Sequence, residues 1–385
     1  YPLSLLEKNR FPQLTKWLSR LTTCDVSVVA GQEFDSIDDW LDALDAETEV
    51  RVSHSSGTTG TMSFLPRSQA EFETWWRLQH LNLFEFLDPE SRHDHTGEHM
   101  DVIWPTFSRG RSGTHRAVGF FKRYVAGSPE RFHPLHDTGV SADVMFLAGR
   151  VRRAQARGEL DQLEISPKLK ARRVEFEAQQ KDMAGSFARF FGELVASLAG
   201  KRVMLIGQTT LLHDLAKDGL ARGLENVFAP GSIVQTGGGR KGLVLPDDWE
   251  QTVGRFAGVD RIALTYGMTE INMTSYRCSE NRYHMPAWII PFVLDPETGA
   301  PTPRAGSQRG RAAFFDLLSN TYWGGFVSGD EVEIRWSCDC GRTTPNLHNH
   351  IQRFSDQKAG DDKITCAAAE EAHQAALDLL TGELV

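Results

Sequence analysis

The sequence predicts an α/β fold, with mixed sheets flanked by helices and a small β-rich subdomain toward the C-terminus. Three observations predict it. Short apolar runs at Val102–Trp104, Arg202–Ile206, Ser232–Gln235 and Arg261–Thr265 alternate with amphipathic helical stretches. The last three run into glycines at Gly207, Gly237 and Gly267, which places loops at strand ends. From about Trp288 the pattern changes to short β segments around turns such as Asp295–Gly299.

The elements follow in chain order. Leu14–Leu21 and Ser36–Leu44 read as helices, the second capped by Ser36 or Asp35. Gln69–Phe86 reads as an aromatic-rich helix entered from Ser68, and Ala117–Phe121 as a further strand. Val174–Leu198 places Phe176, Met183, Phe187, Phe190, Phe191 and Leu194 near one side of a long helix. Leu211–Lys217 starts the helix after the Arg202 strand. Pro301–Gly310 reads as a loop, Ala312–Leu317 and Glu331–Arg335 as strands, and Ala367–Leu380 as a terminal helix.

A chain of 385 residues, 40% hydrophobic and 24% charged, has ample material for a core. A net charge of -9 argues against a nucleic-acid partner, and the basic clusters Arg150–Arg153 and Lys168–Arg173 read as solvated helix faces. No apolar stretch approaches the ~20 residues of a membrane span, and no secretory signal is visible. Five cysteines, with Cys24 alone and Cys278, Cys338, Cys340 and Cys366 in the last third, fit thiols in a reducing cytoplasm.

The most informative run is Ser53-His54-Ser55-Ser56-Gly57-Thr58-Thr59-Gly60. Five hydroxyl side chains and two glycines in eight residues suit a polyphosphate, because glycine lets backbone N–H groups turn toward an anion. It is not a Walker A loop, since no Gly-Lys-Ser/Thr follows. Its flanks, Val52 and Phe64-Leu65, are apolar, unlike those of a Ser/Gly linker. Gly237-Gly238-Gly239 and Tyr266-Gly267-Met268-Thr269-Glu270 stand at predicted strand ends, where ligands of open α/β sheets bind. Gly324–Asp330 places a carboxylate after a glycine, suited to ribose hydroxyls. Each of these alone is also an ordinary turn.

Taken in this order, the four motifs resemble the adenylate-forming superfamily of acyl-CoA ligases, luciferases and adenylation domains, over residues 51–356. Cys278, the Asp295–Gly299 turn and Cys338-Asp339-Cys340-Gly341-Arg342-Thr343 are similar to the phenylacetate-CoA ligase branch, and Gly360–Cys366 to the acyl-protein synthetases of bacterial luminescence. The resemblance implies an adenylation domain over 1–350 and a hinge and helix over 351–385, a stub where larger members carry a mobile domain. It implies that Ser55, Ser56, Gly57, Thr58, Thr59 and Gly60 hold the β- and γ-phosphates of ATP, that Gly237, Gly238 and Gly239 lie against adenine, and that Tyr266 flanks the base beside Gly267. Thr269 would touch the α-phosphate, Glu270 hold Mg²⁺, Asp330 bind the ribose, and Arg353 stand ahead of a hinge at Asp356. Cys366 matches the family's acyl-accepting cysteine.

Two departures stand out. The family's phosphate loop ends in Pro-Lys, whereas Thr61-Met62 follow here and Arg67 is the nearest cation. Only twenty-nine residues follow Asp356, so the mobile domain's catalytic lysine is expected to be missing, with Lys241 or Lys363 as replacements.

Cys278, His284, Cys338 and Cys340 form a candidate structural zinc set of three thiolates and an imidazole; buried, inert thiols are the alternative. Cys366 reads either as a small core residue or as a nucleophile at a helix N-terminus near Lys363. His54 and His213 read as core or surface histidines. Trp75, Trp76, Phe84, Phe86 and the Trp104–Phe107 segment are expected to line an apolar acyl pocket. The expected activity is activation of a carboxylic acid by ATP and Mg²⁺, then transfer to a thiol: Cys366, a carrier protein or CoA. The alternatives are an acyl- or aryl-CoA ligase and a non-catalytic nucleotide-binding protein.

Overall fold

The parallel strands carry the pattern that such strands require. In the four inner ones, neighbouring residues enter opposite apolar clusters: Val102 and Ile103, Met204 and Leu205, Ile233 and Val234, Ala263 and Ile262. A strand buried on both faces needs this continuous apolar run. The structure, a computed structural model, describes residues 1–55, 62–87, 97–165, 167–178, 190–237, 245–354 and 376.

Among these, β1 (Val50–His54) and β2 (Phe64–Ser68) form an antiparallel pair. The remaining strands are β3 (Asp101–Arg109), β4 (Phe132–Gly139), β5 (Val203–Gln208), β6 (Ile233–Gly237), β7 (Ile262–Met268), β8 (Met273–Arg277), β9 (Arg282–His284), β10 (Ile289–Leu294), β11 (Ser307–Asp316), β12 (Gly325–Arg335), β13 (Asn346–His348) and β14 (Gln352–Arg353). They form one sheet in the order β10-β11-β12-β13-β9-β8-β7-β6-β5-β3-β4, with β14 beside β12. From β4 to β7 all neighbours are parallel; from β7 to β10 all are antiparallel. The β-rich part thus continues the α/β sheet through the β7–β8 hairpin. Helices Thr209–Ala221 and Trp249–Ala257 cover one face of the parallel half, and Gln69–Leu87 the other.

The N-terminal layer packs helices Phe11–Leu18 and Ile37–Glu47 on β1 and β2. Helix Ile37–Glu47 meets helix Ala142–Arg157 end to end, and each caps the other. Asp38 Oδ1 accepts from Ala142 N at 2.8 Å; Asp143 accepts from Ile37 N and Asp38 N at 2.9 and 3.0 Å. A carboxylate at a helix N-terminus satisfies amides that the helix cannot. Here two carboxylates share one site, so burial and the Asp38 charge push the Asp143 carboxyl up to about 7.

Several sequence expectations are corrected. Ala117–Phe121 is not a strand: Val118–Phe120 is helical and continues into a π turn at Phe121–Val125, burying Phe120 and Phe121. The expected helix Leu14–Leu21 runs Phe11–Leu18, with Pro12 in its first turn, a position suited to proline. β3 runs on through Pro105 to Arg109, and the ladder to β4 shifts register between Trp104 and Phe107, where proline offers no N–H. β11 begins at Ser307, inside the expected loop, and the Gly-Asp motif lies within β12 rather than in a turn. Of the expected helix Val174–Leu198, the middle lies outside the described residues, and its end is a π turn at Phe190–Val195 followed by a helical turn at Ala196–Leu198.

Candidate functional site

β6 and β7 are parallel neighbours, so Gly237 and Thr269-Glu270 emerge at the same carboxyl edge of the sheet. Two glycines make that edge. A Cβ at Gly237 would stand 2.1 Å from Thr265 Oγ1, and one at Gly267 would stand 2.5 Å from Met273 O. Neither position has room for a side chain. Thr265 Oγ1 is held by its bond to Thr236 O at 3.0 Å.

Tyr266 reaches from β7 to β12, where its hydroxyl donates to Asp330 Oδ2 at 2.8 Å. Three strands separate β7 from β12 in the sheet order. At ordinary strand spacing a flat sheet would hold them about 19 Å apart. The antiparallel half therefore curls until its face meets the end of β7. On β12, Asp330 lies opposite Arg353 of β14, with Arg353 Nε 3.8 Å from Asp330 Oδ1. Burial, reinforced by the Asp330 charge, holds the Tyr266 hydroxyl well above its usual pKa, so it stays a donor. Glu270 is half-buried, and burial raises its carboxyl; among the described residues no side chain forms an ion pair with it. Tyr266, Gly267, Thr269, Glu270, Asp330 and Arg353 are thus brought to one corner, with Gly237 at the adjacent strand end.

The sequence reading missed a buried polar network behind this corner. Arg67, on β2, is 1% exposed, and its Nη2 donates to Thr269 O at 3.0 Å. Its Nε lies 3.4 Å from Glu71 Oε1. Glu71 accepts from Asn272 Nδ2 at 3.1 Å, Asn320 N at 3.2 Å, Thr321 N at 3.0 Å and Thr321 Oγ1. A second missed element is the turn after β3: Ser112 caps the helical turn Gly113–Arg116 through His115 N, and a Cβ at Gly113 would meet Thr269 Cγ2 at 2.9 Å. The run Ser108-Arg109-Gly110-Arg111-Ser112-Gly113, at a strand's carboxyl end, was the signal for it.

Ser55 closes the base of the hydroxyl-rich loop. Its N donates to Ser63 O at 2.9 Å and its Oγ accepts from Ser63 N at 3.0 Å. Ser56, Gly57, Thr58, Thr59, Gly60, Gly238, Gly239, Lys241, Asp356, Lys363 and Cys366 lie outside the described residues. His54 is a buried histidine whose imidazole burial pushes down to about 4. His213 lies 3.5 Å from Asp214.

The expected acyl pocket is corrected. Trp75, Phe84, Phe86, Trp104 and Phe107 are 2–8% exposed, and the rings pack on other rings: Trp75 on Trp76, Phe86 on Tyr276, Trp104 on Phe121, Phe107 on His136. They are core. Their pattern in sequence is the same for a filled core as for a lined pocket.

The thiol–imidazole set is brought together. Cys278 follows β8, His284 ends β9, and Cys338 and Cys340 lie in a turn after β12 that Gly341 closes, its N donating to Cys338 O at 3.2 Å and its φ left-handed at 84°. The four ligand atoms lie within 4.8 Å of one another, with Cys278 Sγ 3.8 Å from Cys338 Sγ and Cys340 Sγ 3.2 Å from His284 Nε2. His284 Nδ1 meets Thr344 Oγ1 at 3.0 Å, which orients Nε2 toward the sulfurs. Burial pushes the Cys338 thiol up to about 12 and the His284 imidazole down to about 4. Next to the cluster, Arg342 donates to Glu85 O and Phe86 O at the end of helix Gln69–Leu87. The cluster therefore ties three elements together.

No helix among the described residues is long and apolar enough to cross a membrane. No family model matches the chain, and no curated protein matches it. Solved structures similar to it include a 2-hydroxyisobutyryl-CoA ligase in complex with 2-HIB-AMP and CoA, at 16% identity over 79% of this chain and 53% of that one, TM-score 0.43. ATP-bound MatB from Rhodopseudomonas palustris is 16% identical over 79% of this chain and 48% of its own, TM-score 0.42. A long-chain-fatty-acid-CoA ligase from Archaeoglobus fulgidus is 13% identical over 80% and 52%, TM-score 0.41. The chain spans about half the length of these structures.

Proposed function

We propose that the protein is an adenylate-forming ligase: it activates a carboxylic acid with ATP and passes the acyl group to a thiol. The observation that carries this reading is the corner in which Tyr266, Asp330 and Arg353 meet beside Thr269-Glu270 at the carboxyl edge of the sheet. In this reading residues 1–350 form the adenylating unit and 351–385 its hinge and tail.

In the first half-reaction a substrate carboxylate oxygen attacks the α-phosphorus of ATP. The bond to the β-phosphate oxygen breaks, giving acyl-AMP and pyrophosphate. Such a step needs positioning and charge neutralisation more than covalent help. Asp330 accepts from a ribose hydroxyl, Thr269 donates toward the α-phosphate, and the loop that begins at Ser55 supplies donors to the β- and γ-phosphates. Tyr266 and the Gly237 turn border the base. Glu270 fits Mg²⁺: it is a hard oxygen donor, half-buried and without an ion-pair partner among the described residues. When bound there, the cation offsets phosphate charge. In the second half-reaction a thiolate sulfur attacks the acyl carbonyl and AMP leaves. Cys366 is the proposed acceptor, with CoA and a carrier protein as the other candidates.

The four-ligand cluster fits zinc. A tetrahedron with Zn–S bonds near 2.3 Å has edges of about 3.8 Å. With all four positions filled by protein, Cys278, His284, Cys338 and Cys340 make a closed, structural site rather than a catalytic one.

The test is ATP–pyrophosphate exchange across a panel of aliphatic and aromatic carboxylates. At least one acid should drive exchange. A chain that binds ATP and exchanges with none is a nucleotide-binding protein without this activity.

A further inference from the structure

Arg67 carries a charge that the reaction above does not use. β2 places it: Phe64, Leu65 and Pro66 are buried on the way in, and Ser68 Oγ accepts from Glu71 N at 3.1 Å, turning the chain into the next helix. A guanidinium buried this completely is stable only when paired and hydrogen-bonded. The carboxylates whose charge it feels are Glu71, Asp316 and Glu270. Its bond to Thr269 O does more than satisfy it. That carbonyl belongs to the peptide joining Thr269 to Glu270, and a planar peptide fixed at its oxygen is fixed at the following nitrogen. The backbone of Gly113 stands against the Thr269 side chain, where an added Cβ would lie 2.9 Å from Thr269 Cγ2. Thr269 is therefore held at its carbonyl by Arg67 and crowded at its side chain by Gly113.

We propose that Arg67 is a positioning residue for Glu270, setting its carboxylate for the Mg²⁺ of the bound nucleotide, with Gly113 packed against the Thr269 side chain. The same side chain ties β2 to the metal corner. The proposal rests on the ATP and Mg²⁺ reading above.

The experiment is calorimetric titration of the full chain with MgATP, with ATP in chelator, and with adenosine. In the wild type, Mg²⁺ tightens ATP binding. Losing a residue that orients a metal ligand costs about 10- to 100-fold in metal affinity. Arg67→Lys and Arg67→Met should thus lose the Mg²⁺ enhancement by that factor, while the affinity for adenosine, titrated alongside because it reaches Asp330 but carries no phosphate for Thr269, is unchanged. An intact enhancement overturns the proposal. So does an equal loss for adenosine and MgATP, the mark of a merely structural residue. If the Arg67 variants do not fold, Gly113→Ala carries the test, since the atoms nearest its new methyl are those of Thr269. It should show the same selective loss, and a wild-type enhancement in it overturns the proposal. A wild-type chain that binds no ATP overturns the functional reading first, and is recognised before any variant is made.

Discussion

Asp330 is the residue on which the nucleotide reading turns, and its geometry sets the size of the effect. One carboxylate oxygen already accepts from Tyr266 at 2.8 Å. Among the described residues the other has only Arg353 within reach, at 3.8 Å, and Arg353 is half exposed, so that pair adds little stability. One charge-assisted bond to the ribose, rather than two, is therefore available. Such a bond contributes about 1.5–3 kcal/mol, so Asp330→Ala should weaken AMP binding by about 10- to 150-fold. Asp330→Asn keeps an acceptor for Tyr266 and loses only the charge. It should cost about 1–1.5 kcal/mol, or five- to tenfold. Calorimetry with AMP, 2′-deoxy-AMP and 3′-deoxy-AMP closes the cycle. In the wild type, removing the hydroxyl that Asp330 accepts from should weaken binding. In Asp330→Ala the same removal should cost nothing, because its acceptor is already gone. If the variant, still folded, discriminates the deoxy analogues as the wild type does, Asp330 does not bind the ribose.

Three further outcomes follow. Protein purified without chelator should contain about one zinc per chain by elemental analysis, and Cys338→Ser should lower both zinc content and melting temperature; a metal-free chain of full stability excludes the site. Asp143 is raised in the fold, so its contribution is fully present below the ordinary carboxylate pKa and is lost as pH rises toward about 7. The wild type should therefore lose more melting temperature than Asp143→Asn between pH 5 and 7.5, and parallel curves would refute the assignment. Finally, incubation with ATP, Mg²⁺ and the cognate acid should leave a hydroxylamine-labile adduct on the C-terminal peptide, absent in Cys366→Ser, which keeps pyrophosphate exchange. CoA thioester in solution with no protein adduct moves the acceptor to CoA.

Four strands of the parallel half were legible because they carry apolar runs, two of them leading to glycines that the backbone requires, Gly237 and Gly267; the edge strand β4, with His133, His136 and Asp137 along it, was not. Asp330 and Arg353 were legible only through motif order, since nothing local says that β12 and β14 pair there. Arg67 and Glu71 were not legible: an Arg and a Glu four apart at a helix start have the spacing of an exposed pair. Only the tertiary packing of Asn272, Asn320 and Thr321 around them makes the site a buried one. The Ala117–Phe121 misreading came from Val118 and two phenylalanines, which favour strands and here turn inward on a π turn instead. β8 and β9 are short and polar, and their ladder is written in partners far along the chain.

The curl of the sheet has a consequence for folding. Tyr266 and Asp330 lie 64 residues apart in sequence and meet only when every strand between β7 and β12 is in register. Contacts of that range form after the loop-closure cost has been met. The ribose corner is therefore a property of the finished sheet, and a partly assembled one offers no weaker version of it. A nucleotide bound there acts on the whole folding equilibrium: at a hundred times its dissociation constant it adds about 2.7 kcal/mol to the stability of the entire sheet, well beyond the few side chains it touches.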